Sequence, residues 1–457
     1  MNADAADLVV AGSELVATVD SSRREIQGGW VAITNGLISG IGGPHDPPPA
    51  SARVVRADGC LITPGLINTH HHLFQNLTRA LPSMTGAPLF GWLQTLYPFW
   101  RRLDEEAAHV SAWVGLAELA LSGCTTSSDH LYLHPRGGGD LLSAEIAAAT
   151  SLGMRFHPTR GSMSLSVKDG GLPPDDVVQD DDQILAECET AVGRHHDRSF
   201  DAMVRIALAP CSPFSVTTSL MERSAELAAR LDVRLHTHLA ENAEDDDFSL
   251  SRFGCRPVEY FERVGWCTDR TWVAHCVMPD ADEIGRLGSA GVGVAHCPSS
   301  NLILASGIAP IIDLRAAGVN VGLGVDGSSS ADSASMWLEA RQAMLLAKLR
   351  SGPGAGTARV ALECATVGGA GCLGRQGEIG ELSVGAVGDL VAWKLDGPAF
   401  AGAIGDSIEA WLRCGPLGAH HTIVSGHLVV ENGHLTHPDL DEMLRAHRRI
   451  SERFQAE

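Results

Sequence analysis

Short apolar runs alternate with amphipathic segments through the middle of the chain. The first of eight such runs begins at Leu66 and the last covers residues 319–326. The runs are apolar almost throughout, as parallel strands buried on both faces are, and the segments between them have helical spacing. Eight strand–helix units predict an α/β fold, a (β/α)8 TIM barrel, whose active site lies at the C-terminal ends of the strands.

Both ends of the sequence show a different pattern, with short β-like runs broken by glycine and asparagine. Such runs are typical of antiparallel strands joined by tight turns. We expect them to form one small β-sandwich domain from residues 1–62 and 378–457, beside a barrel of residues 63–377. The last segment, 439–454, is predicted to be a charged amphipathic helix.

Composition excludes several classes of protein. Of the 457 residues 44% are hydrophobic and 19% charged, which is typical of a compact globular chain. The net charge of -21, with no basic patch in the sequence, argues against binding to nucleic acid or to anionic membranes. No apolar run approaches a membrane span, and residues 1–25 lack a signal-peptide core. Eleven cysteines without C-x-x-C spacing indicate reduced thiols, so we expect a cytoplasmic protein.

Histidines stand at the ends of two predicted strands. His70 and His72 end the run PGLINTHHH, and His238 ends the strand in HTHLAE. Because alternate residues of a strand share a face, His70 and His72 point together and His71 faces the other way. His236 is also expected to face away from the site, and both His71 and His236 to be core or supporting groups. Paired imidazoles at a strand end are half of a metal site.

Further candidate groups end other strands. His275 ends strand six, Asp326 ends strand eight, and Glu241 lies three residues after the strand-five histidine. Three imidazoles and a carboxylate suit one divalent ion, Zn²⁺ first and Fe²⁺ as the alternative, with a position left for a catalytic water. Asp326 is placed to ligate the ion and accept a proton, Glu241 to shuttle protons, and His275 to orient water or polarise the scissile bond. Strand four, residues 203–209, lacks the lysine that a bridged two-metal site needs.

The motifs PGLINTHHH, HTHLAE, WVAHC, HCPSSN and GLGVDGSSS together resemble the amidohydrolase superfamily. Within it, the chain is similar to the group of cytosine deaminases, guanine deaminases and chlorohydrolases, over nearly its whole length. The resemblance implies hydrolytic release of ammonia from a ring carbon. It also implies a zinc-type metal held by His70, His72, His238 and Asp326, with Glu241 as proton shuttle and His275 contacting water or substrate.

The runs HHHLFQNLTRALP, PLFGWLQTLYPFW and LAPCSPFSVT resemble those of bacterial deaminases that act on 8-oxoguanine. This likeness implies deamination of a free aminopurine-type base, with 8-oxoguanine giving urate and ammonia. Nucleoside deaminases of the group usually have a histidine that contacts the sugar where this chain has Cys211, which favours a free base. Guanine, isocytosine or a pterin are alternative substrates.

Two other functions stay open at this point. Chloro- or alkylamino-s-triazine hydrolases of the group share much of the pattern. A non-catalytic scaffold would be expected to have lost some ligand positions, and all of them are filled here. For the deaminase and the triazine hydrolase alike, the expected partners are a small heterocyclic substrate and water, with no nucleic acid and no membrane. We also expect a homo-oligomer.

Position in the sequence also suggests residues that contact the substrate. The amide of Gln75 can pair with a ring N–H and a carbonyl at once. Trp92 is placed to stack on a planar heterocycle or to be core beneath a loop. Arg160, at the end of strand three, either holds a ring oxygen or forms a structural ion pair. Cys211 completes the set.

Overall fold

A computed structural model describes residues 5–456. The strands are, in chain order, β1 (Ala6–Ala11), β2 (Leu15–Ala17), β3 (Glu25–Gln27), β4 (Trp30–Thr34), β5 (Leu37–Gly42), β6 (Ser51–Arg56), β7 (Cys60–Pro64), β8 (Leu66–Asn68), β9 (Cys124–Leu131), β10 (Arg155–Ser162), β11 (Ala207–Pro210), β12 (Leu235–Leu239), β13 (Thr271–His275), β14 (Gly293–His296), β15 (Asn320–Leu323), β16 (Leu390–Lys394), β17 (His421–Val424), β18 (His427–Glu431) and β19 (His434–Leu435).

The α-helices are α1 (Leu89–Trp100), α2 (Glu105–Leu121), α3 (Leu141–Leu152), α4 (Asp181–His195), α5 (Thr218–Leu231), α6 (Ala243–Phe253), α7 (Pro257–Arg263), α8 (Ala281–Ala290), α9 (Pro298–Ile303), α10 (Ile311–Ala316), α11 (Met336–Ser351), α12 (Ala358–Glu363), α13 (Gly369–Cys372), α14 (Ser407–Arg413) and α15 (Leu440–Gln455). Short 3₁₀ turns cover Leu73–Thr78, Pro82–Met84 and Val167–Asp169, and a π turn covers Cys364–Gly368.

The parallel strands β8 to β15 form a closed barrel in sequence order, and β15 pairs with β8 through Leu323 and Asn68. Strands β9, β12 and β13 are buried at every position because helices cover the outside while side chains fill the interior. The predicted TIM barrel is confirmed. Its strand ends bring together side chains that are more than 250 residues apart in the sequence.

The β-sandwich formed by the two ends of the chain is also confirmed. One sheet has the order β5-β4-β1-β6 and the other the order β19-β18-β17-β16-β7-β2-β3. Apolar side chains from both sheets, such as Val31, Ile62 and Leu390, share one buried cluster. Strand β7 passes directly into barrel strand β8 through Gly65, where a Cβ would collide with Thr125.

The residue bounds of the two domains stay a prediction. The boundary expected between residues 62 and 63 lies inside β7, which pairs with β16 as far as Pro64. Helix α15 lies against barrel helix α2, and His447 Nε2 is 2.8 Å from Asn76 Oδ1. The C-terminal helix therefore contacts the turn that follows the first pair of strand-end histidines.

A buried ion pair joins the barrel to the sandwich. The Arg155 guanidinium, at the start of β10, donates to both carboxylate oxygens of Asp389, over 3.0 Å and 3.2 Å. The same guanidinium donates to the backbone oxygens of Asp201 and Ala202, and Asp389 accepts from the Ser425 backbone N–H. Both side chains are buried, and the pairing satisfies both carboxylate oxygens.

Between residues 5 and 456, no helix combines the length and the apolar character needed to cross a bilayer. All eleven cysteines are unpaired thiols. The predicted cytoplasmic location and the predicted homo-oligomer stay predictions.

Candidate active site

The C-terminal ends of the barrel strands bring the predicted site residues together. The backbone N–H of Asp326, just after β15, donates to the carbonyl of His70 over 3.0 Å, so these two strand ends are tied to each other. Asp326 and His275 both have left-handed backbones, with φ of 62° and 70°. Non-glycine residues adopt this conformation at some cost and often do so at functional sites.

Four donor groups converge at this end of the barrel. The Nε2 atoms of His72 and His238 are 3.2 Å apart, and Asp326 Oδ1 lies 3.3 Å from His70 Nε2 and 3.4 Å from His72 Nε2. Ligands at about 2.0–2.1 Å from a tetrahedral ion are separated by about 3.3 Å, which matches these distances. His70 Nε2 is buried without a hydrogen-bond partner among residues 5–456. The donor set therefore fits one divalent ion.

The second nitrogen of each ring fixes which atom faces the cluster. His72 Nδ1 lies 2.8 Å from the carbonyl oxygen of His130, and His238 Nδ1 lies 2.6 Å from that of Cys211. A carbonyl only accepts, so each Nδ1 carries the proton and each Nε2 presents a lone pair to the centre. Burial also lowers the pKa of His238 to about 3, which keeps its ring in the neutral form that binds metals.

His70 is oriented by another histidine. Its Nδ1 is 2.8 Å from His236 Nε2, and His236 Nδ1 is 2.9 Å from the carbonyl oxygen of Trp272. Because that carbonyl must accept, His236 Nδ1 donates to it and its Nε2 accepts from His70. The His236 ring also stacks on the Trp272 indole at 4.4 Å. His236 thus orients the His70 ring through the nitrogen that does not belong to the donor cluster.

A second set of groups lies beside the donor cluster. His275 Nε2 is 3.6 Å from Glu241 Oε2 and 3.8 Å from Asp326 Oδ2, while its Nδ1 is 3.0 Å from Asn301 Oδ1. Burial raises the pKa of Glu241. Burial alone would lower the pKa of His275, but the Glu241 and Asp326 carboxylates outweigh it and raise that pKa. The pair is suited to holding and passing a proton.

A narrow slot leads to these groups. Its free volume is about 40 Å³, far below the ~300–1,000 Å³ of typical ligand pockets, so a bicyclic ligand requires its walls to move apart. None of the described residues that line it is lysine or arginine. The lining residues are His72, Gln75, Leu89, Trp92, Leu93, Tyr132, Cys211, Phe214, His238, Glu241, His275, Leu304, Asp326 and Ser330.

Three of the predicted substrate-contacting residues lie in the slot. Gln75 donates from Nε2 to the Tyr132 hydroxyl over 3.4 Å, and its buried Oε1 has no partner among the described residues. Trp92 lines the slot and packs edge-on against Trp100, so it forms part of the slot wall and part of the hydrophobic core. Burial raises the pKa of Cys211 to about 12, which leaves a neutral thiol there.

Arg160 does not reach the slot. Its guanidinium pairs with Glu187 of α4 and donates to Gln179 over 2.7 Å. Strand β10 ends at Ser162, two residues beyond Arg160. Because Glu187 belongs to helix α4, the Arg160 side chain lies on the outer face of the strand, against that helix. The prediction that it holds a ring oxygen does not fit this geometry; its alternative, a structural ion pair, does.

Sequence reasoning missed Tyr132 and His130, both at the end of strand β9. Tyr132 lines the slot, and the His130 ring stacks on that of His238 at 4.9 Å. His130 also belongs to a group of closely spaced potential ligands with His70, His72 and His238. The alternation in DHLYLH at the second strand end was the available signal.

A parallel eight-stranded barrel with imidazoles and carboxylates at its C-terminal strand ends is the architecture of metal-dependent hydrolases. The sequence profile of the amidohydrolase family matches residues 61–429, and the chain belongs to that family. It is thus a hydrolase of a family that binds a divalent metal.

Three similar proteins share almost the whole chain. An 8-oxoguanine deaminase of Pseudomonas aeruginosa is 49% identical over 433 residues, which are 95% of this chain and 96% of that protein. A hydroxydechloroatrazine ethylaminohydrolase of Pseudomonas sp. (strain ADP) is 36% identical, over 94% and 92%. The solved structure of an atrazine chlorohydrolase from Arthrobacter aurescens TC1, complexed with zinc, superimposes with a TM-score of 0.92 at 32% identity, over 97% of this chain and 100% of the other.

Proposed function

We propose that this protein is a zinc-dependent deaminase of a free aminopurine-type base, and that it converts 8-oxoguanine and water to urate and ammonia. The observation that carries the proposal is that His238 Nε2 and Asp326 Oδ1 both lie within 3.4 Å of His72 Nε2, beside Glu241, in a slot whose described lining has no lysine or arginine. The 49% identical 8-oxoguanine deaminase supports this choice of substrate.

His70, His72, His238 and Asp326 would hold the metal, whose chemical contribution is Lewis-acid activation of water at neutral pH. Glu241 transfers one proton from the water to the ring nitrogen next to the amine-bearing carbon, and burial, which raises the pKa of Glu241, favours the protonated form that donates it. His275, whose Nε2 lies near both Glu241 and Asp326, hydrogen-bonds the attacking water. Asp326 Oδ2 accepts the second proton of the water and passes it to the amine, which leaves as ammonia.

The slot favours a neutral, planar substrate with both donors and acceptors on its edge. The unpaired Oε1 of Gln75 accepts a ring N–H, and the Tyr132 hydroxyl next to it is placed to donate to a ring carbonyl. The indole of Trp92 supplies an apolar wall. 8-Oxoguanine presents adjacent N–H and C=O groups that match this arrangement.

Hydrolysis of substituted s-triazines is the second candidate. Leu89, Leu93, Phe214 and Leu304 line the slot and suit the alkyl groups of such rings. The ethylaminohydrolase and the chlorohydrolase described above support it at lower identity, 36% and 32%. Deamination of a purine is supported by a relative of higher identity, 49%.

Ammonia release by the purified, metal-loaded protein decides between the candidates. We expect 8-oxoguanine to have the highest kcat/KM of a panel with guanine, isocytosine, a pterin, a chloro-s-triazine and an alkylamino-s-triazine. Dechlorination without turnover of any purine would contradict the proposal. Elemental analysis, and reconstitution of the metal-free protein with Zn²⁺ or Fe²⁺, identifies the ion.

A further inference from the structure

The N-terminal ends of the barrel strands, opposite the active site, surround a second cavity. It has a volume of about 290 Å³ and lies where β11, β12 and β13 begin. Four guanidinium groups line it, those of Arg198, Arg205, Arg234 and Arg270, against the single carboxylate of Asp232. This concentration of positive charge stands out in a chain whose net charge is -21.

Three of these arginines already have partners. Arg270 and Arg198 share Asp232 at 2.9 Å and 3.4 Å, and Arg205 pairs with Glu378 at 3.0 Å. Each of these pairings leaves other N–H groups of the guanidinium available, and Arg205 Nε is buried without a partner in residues 5–456. The positive charge of the cavity is therefore only partly neutralised.

The guanidinium of Arg234 has neither a hydrogen bond nor an ion pair with any residue in the described part of the chain, and its Nε is buried. Its guanidinium lies 6.0 Å from the centre of the Trp272 ring, and a Cβ on Gly374 would come within 2.7 Å of its Nη1. Glycine at this position makes room for the side chain. Burial lowers the pKa of Arg234 to about 10, yet the group still carries its charge at neutral pH.

Arg234 is partly buried, and a cation that is partly removed from water without a counter-ion is stabilised when an anion joins it. Arginine is the usual partner of phosphoryl groups because its planar fork donates two parallel hydrogen bonds. His157 Nδ1, buried and unpaired among residues 5–456, also lines the cavity; burial and the nearby arginines hold the pKa of His157 well below its usual value. A neutral imidazole can add a donor without adding charge.

We propose that this cavity is a binding site for a phosphoryl dianion, with Arg234 as its central ligand and Arg205 and Arg270 at its sides. The cavity is larger than a bare phosphate needs, so a small substituent on the phosphate also fits. The site is separate from the metal cluster and does not depend on the proposed deamination.

Calorimetric titration of the intact, metal-loaded protein at constant ionic strength tests the proposal, with inorganic phosphate and ribose 5-phosphate as separate probes. In Arg234→Met, which keeps length and apolar contact with Trp272, we expect phosphate to bind about tenfold or more weakly, as for loss of a charged hydrogen bond. Arg448→Gln removes one exposed charge of α15 and is the matched control, with an expected change below about twofold.

Phosphate that binds at the active-site metal would bind Arg234→Met and the wild type equally, so the difference between the two isolates the new site. Arg270→Gln, at the cavity rim, provides a second test if Arg234→Met folds poorly, and should also weaken binding several-fold. Tighter binding of ribose 5-phosphate than of phosphate would show that a phosphate ester is the preferred form. Equal affinity in all variants, or no phosphate binding to the wild type, would overturn the proposal.

Discussion

The Arg155–Asp389 pair and the cluster of metal-binding side chains lie buried at opposite ends of the barrel, and they differ in how completely their groups are paired. At the N-terminal end, Arg155 and Asp389 satisfy each other and nearby backbone groups while joining two parts of the fold. At the C-terminal end, imidazole lone pairs face one another across 3.2 Å, and His70 Nε2 has no partner among residues 5–456. Complete pairing marks a group that stabilises the fold, whereas unmatched donor atoms mark a place where a ligand belongs.

The largest effect that this contrast predicts is on turnover, at the C-terminal end. Glu241→Gln keeps shape but cannot accept a proton, so kcat should fall by about 10²–10⁴-fold. Metal content, measured by elemental analysis, should stay near that of the wild type because Glu241 is outside the donor set. Glu106→Gln, at an exposed position in the first turn of α2, is the control and should keep full activity. Unchanged turnover in Glu241→Gln would contradict the role of Glu241 in proton transfer.

At the Arg155–Asp389 pair, substitution should instead affect stability. Asp389→Asn leaves the buried Arg155 guanidinium without a counter-ion, which typically costs about 3–5 kcal/mol in unfolding free energy. Chemical denaturation measures this loss, with Asp441→Asn on exposed α15 as the control. Folded Asp389→Asn should retain its metal and its kcat. A variant of normal stability that had lost its metal would reverse the contrast between the two ends.

A smaller effect is expected for His236, which has hydrogen-bond partners itself and orients His70. His236→Phe keeps the stack on Trp272 but removes the acceptor for His70 Nδ1, and groups in this position typically change metal affinity by about 10–100-fold. Competition with a chelator measures the affinity. His236→Gln retains a side-chain acceptor and should lose less. A smaller loss in His236→Phe than in His236→Gln would show that His236 acts through packing alone.

The smallest effect should come from Cys211, whose neutral thiol contributes at most a weak hydrogen bond to the substrate. Cys211→Ser is expected to change kcat/KM for 8-oxoguanine by less than about tenfold, the value of one ordinary hydrogen bond. Steady-state kinetics on the folded variant measures it. A loss of more than a hundredfold would mean that the thiol takes part in the reaction itself.

Sequence patterns predicted the barrel, the sandwich and the strand-end histidines because each depends on local periodicity. They left Arg160 open between a substrate contact and a structural ion pair, since the end of a strand does not reveal which face a residue occupies. They also gave no sign of the arginine cavity. Arg205, Arg234 and Arg270 are each isolated in the sequence, and only closure of the barrel brings the starts of their strands together. A chain without a basic run can therefore still contain a basic pocket.

The absence of lysine and arginine from the described lining of the slot has a consequence for the order of metabolism. A nucleotide would carry its dianion into a buried chamber whose described lining has no lysine or arginine. The charge of a bound divalent metal would already be balanced there by Glu241 and Asp326, so binding of the dianion would be unfavourable. The substrate would therefore have to arrive without its phosphate. Because the proposed substrate is a free base, an N-glycosidic bond would also be cleaved upstream, and this protein would not act on the intact nucleotide pool.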